Sequence, residues 1–319
     1  METPIFITVA LCTHNHADRL PRTLADLGKL ELPSRPWEIV IVENGCTDET
    51  MAVLENVNWQ PANVPVRIVH EEKLGLSNAR NCALKNAHGQ YLIFIDDDET
   101  PDPAWLISYE RDILEYLPDA LGGTIEVVFE HGDRPSWLQD ELLGFLGRLN
   151  HGEGQWLTDP ATSFYGGNFA VNKEIFKQIG EFDSELGRKG RINAGGEDTE
   201  FYRRLIENGH TVRWVPDATI YHRIRADKLR KNYFLELHYR QGLIEGSRKR
   251  GKDSRIPPRY LFGQLARALK IALQRRFTRG SEHSLRLEMN AIYFFGYIWG
   301  WLAPTVHHSS SKPGANGAR

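Results

Sequence analysis

The chain has 319 residues, of which 41% are hydrophobic and 25% are charged, and its formal net charge is −3. This balance excludes an intrinsically disordered chain, a collagen and a coiled-coil rod, and it allows a large buried core. The length predicts two domains, or one large α/β domain with an extension. The three cysteines lie in no Cys-x-x-Cys pair, which is typical of a reducing, cytosolic compartment.

The first hundred residues alternate apolar runs with helical patterns. The apolar runs are continuous and rich in β-branched residues, as in strands that are covered on both faces. Ser77 is expected to cap the third of the intervening helices. This order predicts βαβ units and a parallel sheet, in which ligands bind beyond the carboxyl ends of the strands. The predicted strands are residues 5–12, 38–42, 66–69 and 91–95, and the predicted helices are residues 20–30, 48–56 and 77–87.

The pattern changes after residue 100. Residues 131–158 are predicted to be irregular, residues from 226 onward to be mostly helical and basic, and the polar residues 307–319 to be disordered. The remaining predicted helices are residues 103–117, 173–179 and 197–208, and the remaining predicted strands are residues 121–129, 169–171, 211–215 and 219–222.

Four acidic residues, Asp96 to Glu99, directly follow the strand at 91–95. Neighbouring carboxylates are costly unless a cation or solvent compensates their repulsion. Oxygen ligands suit Mg²⁺ or Mn²⁺, and Mg²⁺ is commonly bound by one or two carboxylates together with substrate phosphates. A solvated acidic turn is the alternative. The place at the carboxyl edge of the sheet favours a site for a metal ion and a nucleotide diphosphate.

Four further residues suggest chemistry. Glu197 and Asp198 follow two glycines at the start of a helix, where the ionised form of a base is favoured; they could also simply stabilise the helix. His222 ends a strand and could bind Mn²⁺ beside carboxylates, or be a buried core histidine. Arg80 could hold a pyrophosphate or ribose oxygen with its planar guanidinium, or pair with a nearby acid.

A set of ordered motifs resembles the family 2 glycosyltransferases with the GT-A fold. The resemblance covers roughly residues 5–245. It implies an α/β catalytic domain over residues 1–225, with a Rossmann-like, mostly parallel sheet flanked by helices. Its nucleotide-binding half would be residues 1–100 and its acceptor half residues 101–225, followed by a basic helical extension over residues 226–306. The motifs are TVALCTHN (8–15), IVENGCTDET (41–50), GLSNARNCAL (75–84), YLIFIDDDETPDPAWL (91–106), GGNFAVNKEIFKQIGEFDSEL (166–186), GGEDTEFYRRL (195–205) and VPDATIYH (215–222).

The resemblance also implies a role for individual residues. Asp198 would be the catalytic base, with Glu197 beside it, and Asp98 and His222 would hold Mn²⁺ or Mg²⁺. Asn44 stands where the family more often has a second Asp. The residues implied to line the nucleotide are Thr13, Asn15, Glu43, Arg80, Asp96 and Asp97. Those implied to line the donor sugar and the acceptor are Trp156, Gly166, Gly167 and Asn168.

The implied reaction is an inverting transfer of a sugar from a nucleotide-diphosphate sugar, UDP first, to a hydroxyl of a saccharide or lipid-linked acceptor in surface-polysaccharide or glycan synthesis. Asp198 takes the hydroxyl proton, and the metal neutralises the departing diphosphate. A metal-dependent nucleotidyltransferase is disfavoured because LCTHNHADR lacks the glycines expected of a triphosphate-binding loop. A non-catalytic scaffold of the same fold is disfavoured because Asp98 and Asp198 are both present.

The charge is unevenly distributed along the chain. Residues 223–279 hold 17 Lys and Arg against 4 Asp and Glu. Within this segment, leucines recur at helical spacing, at Leu261, Leu265, Leu269 and Leu273. Beyond the segment, residues 291–303 are rich in aromatic residues. A basic amphipathic helix can lie on an anionic membrane, so a peripheral protein on the cytoplasmic face of the membrane is expected. Packing on the protein is the alternative. A nucleic-acid partner is disfavoured for two reasons. A basic stripe alone is a weak signal for nucleic-acid binding, and the leucine spacing indicates packing or lipid contact instead.

Overall fold

The computed structural model describes residues 4–56, 61, 63–130, 132–187, 195–250, 256–280 and 284–303. The predicted tail at 307–319 lies outside the described residues. The chain divides into two compact units. The first comprises residues 1–130 and 146–224, and the second comprises residues 131–145 and 225–319. Residues 131–145 thus belong to the second unit, whereas the predicted boundary placed them in the catalytic domain.

The first unit begins with a parallel sheet in the order β3-β2-β1-β4. The apolar runs of β1, β2 and β4 are buried on both faces, which confirms the predicted α/β class, while the edge strand β3 is only partly buried. Helix α3 follows Gly75, and the Ser77 hydroxyl instead donates to Leu186 O at 2.8 Å, so the predicted Ser77 cap is wrong. The elements are β1 (Ile7–Thr13), α1 (Leu20–Leu27), β2 (Trp37–Glu43), α2 (Thr50–Glu55), β3 (Val66–His70), α3 (Leu76–Asn86) and β4 (Tyr91–Asp96).

Beyond β4 the sheet is mixed, in the order β4-β8-β6-β9-β5. β8 pairs antiparallel with β4 and β6, and β9 runs parallel to β6. The strands predicted at 211–215 and 219–222 form one strand, β9, because a register shift against β6 absorbs the residues between them. The elements are β5 (Glu99–Pro101), α4 (Trp105–Tyr116), β6 (Ala120–Phe129), β7 (Gln155–Leu157), β8 (Phe169–Asn172), α5 (Phe176–Ile179), α6 (Glu197–Glu207) and β9 (Val212–Ile224).

The second unit is helical, with α7 (Lys231–Lys249), α8 (Arg259–Arg279) and α9 (Leu285–Leu302). α7 and α9 approach closely because glycines on each helix face backbone carbonyls of the other. Trp137 and Phe145 pack their rings against Phe234 and His238 of α7, which explains why the irregular segment joins this unit. The glycines are Gly242, Gly246, Gly296 and Gly300. Within the described ranges, the helices are too short or too polar to span a bilayer.

Asn168, just before β8, is a buried polar centre of the first unit. Its Oδ1 accepts from Trp105 Nε1 at 2.8 Å and from Tyr109 OH at 2.9 Å. Its Nδ2 donates to Thr124 O and Ala218 O, both at 2.8 Å. The amide therefore joins α4, β6 and β9, and it does not line a ligand cleft as the resemblance implied.

We expect Asn168→Ala to lower the free energy of unfolding by roughly 3 kcal/mol or more, because it leaves buried donors and acceptors without partners. The matched control is Asn208→Ala, at the exposed end of α6, where the side chain donates only to Arg204 O and the loss should stay below about 1 kcal/mol. Urea unfolding measures both variants. Equal stability of the two proteins would contradict the structural role of Asn168.

Candidate active site

The predicted site residues come together where the strands of the first unit end. Thr13 of β1 pairs with Glu43 of β2, and Cys12 pairs with Asp96 of β4. His222 of β9 pairs with Glu99 of β5, the last residue of the acidic run. The sheet therefore gathers residues from four distant parts of the sequence at its carboxyl edge, as expected for an α/β ligand site.

Glu43 and Asn44 order the loops around the expected nucleotide pocket. The buried Glu43 carboxylate accepts from the Cys46 backbone N–H and bonds to His70 Nδ1. Burial by itself raises the pKa of Glu43, but these two donors outweigh it and lower that pKa. Asn44 donates to Glu71 O at 2.8 Å and Lys73 O at 3.0 Å, which an Asp could not do. The Asn44 amide, which stands where the family more often has an Asp, therefore holds the segment after β3 in place.

Two more residues expected to line the nucleotide are Thr13, the last residue of β1, and Asn15 in the loop that follows. Asn15 has a left-handed backbone with φ 53°, and its exposed side chain accepts from Thr47 N at 2.7 Å. The Thr13 hydroxyl is buried and has no hydrogen-bond partner among the described residues. A buried hydroxyl without a partner is costly, so it is suited to a polar ligand atom. The half-exposed His70 beside Glu43 is a pocket residue that the sequence reasoning missed.

The acidic run splits its carboxylates among different partners. Asp96 lies 3.5 Å from Arg80 Nη2, and the nearly buried Asp97 accepts from His16 Nδ1 at 2.7 Å. Asp97 is thus committed to His16 rather than to a nucleotide. Glu99 is buried against Gly167, and burial, followed by repulsion from Asp96 and Asp98, raises its pKa well above the ordinary value. Glu99 is the carboxyl of the run to which the sequence assigned no role.

Arg223 supports the same run from the protein interior. Its backbone N–H donates to Asp98 O at 3.1 Å, and its Nη1 donates to Glu99 O at 2.7 Å. Nη2 donates to Thr23 Oγ1 at 2.7 Å, and that hydroxyl in turn donates to Asp97 O at 2.8 Å. The backbone of the acidic run is therefore held on its inner side. In the sequence, the one sign of this role is that Arg223 directly follows His222, the predicted metal ligand.

Asp98 and His222 form the donor pair that fits a divalent cation. His222 Nδ1 lies 2.7 Å from Leu146 O, and since a carbonyl only accepts, Nδ1 carries the proton. In the neutral imidazole Nε2 then carries the lone pair, and it lies 3.5 Å from Asp98 Oδ2, so the two atoms are placed to share a cation. Within the described ranges, no group of three or more His, Cys, Asp or Glu side chains gathers at one point. The donor set therefore suits Mg²⁺ or Mn²⁺ completed by phosphate oxygens and water.

Arg80 joins the two acidic clusters. Its buried guanidinium donates to Glu197 Oε1 at 2.8 Å and to Gly166 O at 2.9 Å, and it lies 3.5 Å from Asp96 Oδ1. Burial alone lowers the pKa of Arg80, but the neighbouring carboxylates outweigh it and raise that pKa. Phe94, Phe169 and Phe182 surround the guanidinium at 5.8–5.9 Å. Arg80 is therefore enclosed. It bridges Glu197 and Asp96 instead of making the expected direct contact with a diphosphate.

The two acids at the start of α6 differ in exposure and in partners. Glu197 is buried and paired with Arg80. Asp198 is partly exposed, and its Oδ2 accepts from Gly166 N at 2.8 Å. Gly196, with φ 108°, supplies the left-handed turn that places both acids in the first turn of the helix. Asp198 is thus the acid of the pair that solvent and substrate can reach.

The residues expected to line the sugar and the acceptor separate into two groups. A Cβ at Gly166 would collide with the Arg80 guanidinium, and one at Gly167 with the Glu99 carboxyl group, so both glycines make room for buried polar groups next to Asp198. Trp156 pairs with Arg213 of β9. Arg213 pairs with Leu121 of β6, and His222 pairs with Val127 of the same strand. Six residues of strand, about 20 Å, therefore separate Arg213 from His222. Trp156 is therefore not brought to the site.

We expect Arg80→Lys to lower the free energy of unfolding by about 3 kcal/mol, because an ammonium cannot bond Glu197, Gly166 O and Asp96 at once. The control is Arg203→Lys, which alters an exposed pair with Glu207 at 2.9 Å and should cost less than about 1 kcal/mol. Chemical unfolding of the two variants tests this. A loss no greater for Arg80→Lys than for the control would contradict the bridging role.

The chain is similar to several known proteins. The model of glycosyl transferase family 2 matches residues 8–180, and the model named N-terminal domain of galactosyltransferase matches residues 156–227. Succinoglycan biosynthesis protein ExoM of Rhizobium meliloti is 24% identical over 244 residues, which cover 76% of this chain and 74% of the relative. A glucosyl-dolichyl phosphate glucuronosyltransferase of Haloferax volcanii is 22% identical over 314 residues, covering 94% and 97%.

A solved structure shows the same fold. The mannosyltransferase of Pyrobaculum calidifontis, in complex with GDP-Man and Mn²⁺, superimposes with a TM-score of 0.60 at 17% identity, covering 94% of this chain and 88% of that chain. The family 2 match spans more than half of the chain. The protein therefore belongs to glycosyl transferase family 2, and it is a glycosyltransferase with the GT-A fold that the sequence motifs implied.

Proposed function

We propose that the enzyme transfers a sugar from a nucleotide-diphosphate sugar to a hydroxyl of a saccharide or lipid-linked acceptor, with inversion at the anomeric carbon. The observation that carries this proposal is the Arg80 bridge, which joins Asp96 of the acidic run to Glu197 beside Asp198. The bridge thus links the acidic run, which would hold the metal, to the helix start that carries the candidate base. The names of the relatives, which include a glucuronosyltransferase, support a role in glycan synthesis.

The chain supplies the groups that an inverting transfer needs. Asp198 accepts the proton of the acceptor hydroxyl, whose oxygen bonds to the anomeric carbon on the face opposite the diphosphate. The bond from that carbon to the phosphate oxygen breaks, and its electron pair leaves with the diphosphate. Asp98 and His222 would hold a Mn²⁺ or Mg²⁺ ion, which supplies charge neutralisation for the leaving group when bound. One displacement needs no covalent enzyme intermediate, so the cysteines have no part in it.

We propose a uridine diphosphate as the first donor to test. The resemblance implies that Glu43 lies near the base or ribose, and the exposed ring of His70 is hydrogen-bonded to this carboxylate. The neighbour solved with GDP-Man makes guanosine diphosphate the second donor to test. We also propose that the enzyme acts at the cytoplasmic face of a membrane, because residues 223–279 carry an excess of 13 positive charges.

Replacing the base tests the mechanism. We expect Asp198→Asn to lower kcat by about 10²–10⁴-fold, because the amide cannot accept the hydroxyl proton, while the affinity for the donor and the stability change little. Glu197→Gln is the matched variant, and it should instead lower the stability because it weakens the pair with Arg80. Steady-state kinetics and unfolding measure both. Near-normal turnover by Asp198→Asn would overturn the assignment.

Removing the metal tests the donor pair. With EDTA we expect turnover of UDP- or GDP-sugars to fall to background, and with Mn²⁺ or Mg²⁺ to return. His222→Ala should raise the metal concentration for half-maximal activity by about 10–100-fold, since one of two protein ligands is lost. Release of pyrophosphate from a nucleoside triphosphate and a sugar phosphate would indicate a nucleotidyltransferase instead. An unchanged metal requirement in His222→Ala would exclude His222 as a ligand.

A further inference from the structure

Helix α8 presents one face to α9 and leaves a line of large apolar side chains exposed. Leu261, Ala268 and Ala272 are buried, and Leu261 packs with the α9 residues Tyr297, Ile298 and Trp301. The exposed line follows the helical repeat at steps of seven, four and four residues. It consists of Phe262, Leu269, Leu273 and Phe277, which are 48%, 46%, 53% and 86% exposed.

This line differs from the stripe that the sequence predicted. Of the predicted leucines, Leu261 and Leu265 pack toward α9, whereas Leu269 and Leu273 are exposed. Among the aromatic residues of α9, Tyr297 and Trp301 are buried in the helix packing. The four leucines that the sequence analysis placed on one face of α8 are therefore divided between its packed face and its exposed face.

The exposed line continues onto α9. Leu269 and Leu273 line a small apolar cavity of about 200 Å³ together with Ala291 and Ile292 of α9. Beyond Ile292, Phe295 and Trp299 follow at helical spacing and are half-exposed. We call the set Phe262, Leu269, Leu273, Phe277, Phe295 and Trp299 the apolar surface. Six large apolar side chains exposed on two packed helices are typical of a contact site.

The charge of α8 favours an anionic partner. Residues 259–279 contain six Lys and Arg and neither Asp nor Glu. Arg267 and Lys270 are exposed on the solvent-facing side of α8, between the apolar line and its opposite exposed edge. A second copy of the chain docking through α8 would bring two such basic helices together, which like-charge repulsion opposes. Anionic lipid headgroups complement this charge, while the acyl region takes up Phe, Leu and Trp side chains.

We propose that the apolar surface is the part of the protein that enters an anionic lipid bilayer, with α8 lying in the plane of the headgroups. Phe277, the most exposed of these side chains, and its neighbours along the line enter the acyl boundary, while Arg267 and Lys270 contact lipid phosphates. This inference rests on the proposed attachment to a membrane. It does not depend on the proposed transfer reaction.

Vesicle co-sedimentation of the full chain tests the proposal. The vesicles contain phosphatidylcholine alone or phosphatidylcholine with phosphatidylglycerol. We expect the wild type to bind the anionic vesicles, and the variant with Gln at Phe262, Leu269, Leu273 and Phe277 to bind them at least ~30-fold more weakly. The double variant Arg267→Gln/Lys270→Gln should lose about 10-fold on anionic vesicles and little on neutral ones.

The matched control is Tyr260→Gln/Ile271→Gln. These residues are also exposed on α8, at 58% and 44%, but each lies two positions, about 200° of helix, from a residue of the line. We expect binding within about 2-fold of the wild type. Thermal unfolding and the turnover of a soluble donor should be equal in all variants, because the substituted side chains are exposed.

The outcomes separate the inference from the proposals on which it rests. No binding of the wild type to anionic vesicles would overturn both the membrane attachment and the surface. Binding that the four-residue variant retains, or that the control loses equally, would overturn the surface alone. A dimer in light scattering that only the four-residue variant dissociates would assign the surface to a second copy and overturn the lipid proposal. Loss of turnover in Asp198→Asn has no bearing on any of these results.

Discussion

The active site of this glycosyltransferase depends on one enclosed cation. The Arg80 guanidinium lies between Asp96 and Glu197, and the aromatic rings around it exclude water. Removing a charge from water costs several kcal/mol unless its partners are fixed in position. The protein meets this cost with a carboxylate, a backbone carbonyl and a second, slightly more distant carboxylate. Because these partners come from the end of β4, the start of α6 and the loop before β8, satisfying Arg80 also sets the position of the acidic run and of Asp198, the proposed base.

A layer of buried polar contacts extends this constraint beneath the site. Arg223 and Thr23 bind the carbonyls of the acidic run, and Asn168 binds the elements behind it. A side chain at position 166 or 167 would have no room, because the Arg80 guanidinium and the Glu99 carboxyl group occupy the space beside Gly166 and Gly167. The few residues that face substrate are thus supported by many that do not, and a buried polar network of this kind favours one arrangement over nearby alternatives only when each member is satisfied.

The sequence predicted the parts of the fold that depend on periodicity. Strands β1 to β4 and their parallel direction follow from apolar runs that alternate with helices, whereas the shared metal site of Asp98 and His222 was implied by the family resemblance. The antiparallel insertion of β8 depends on long-range pairing that no local pattern encodes. The ligand contacts implied for Arg80 and Asn168, and the single face predicted for the leucines of α8, differ from the structure for one reason. Residue type shows that a side chain can bind a ligand or a lipid, but burial and competing partners decide whether it is available, and those depend on the tertiary structure.

The acids at positions 197 and 198 illustrate how that decision creates function. Both stand in the first turn of α6, and both are in principle able to take a proton. Glu197 neutralises Arg80, so protonating it would leave a buried cation with less compensation. Asp198 accepts instead from the backbone N–H groups of Gly166 and Thr199, which carry no net charge, and it is partly exposed. Taking up a proton at Asp198 therefore breaks no buried ion pair. The difference in partners, rather than in the residues themselves, separates a structural anion from a base available to substrate.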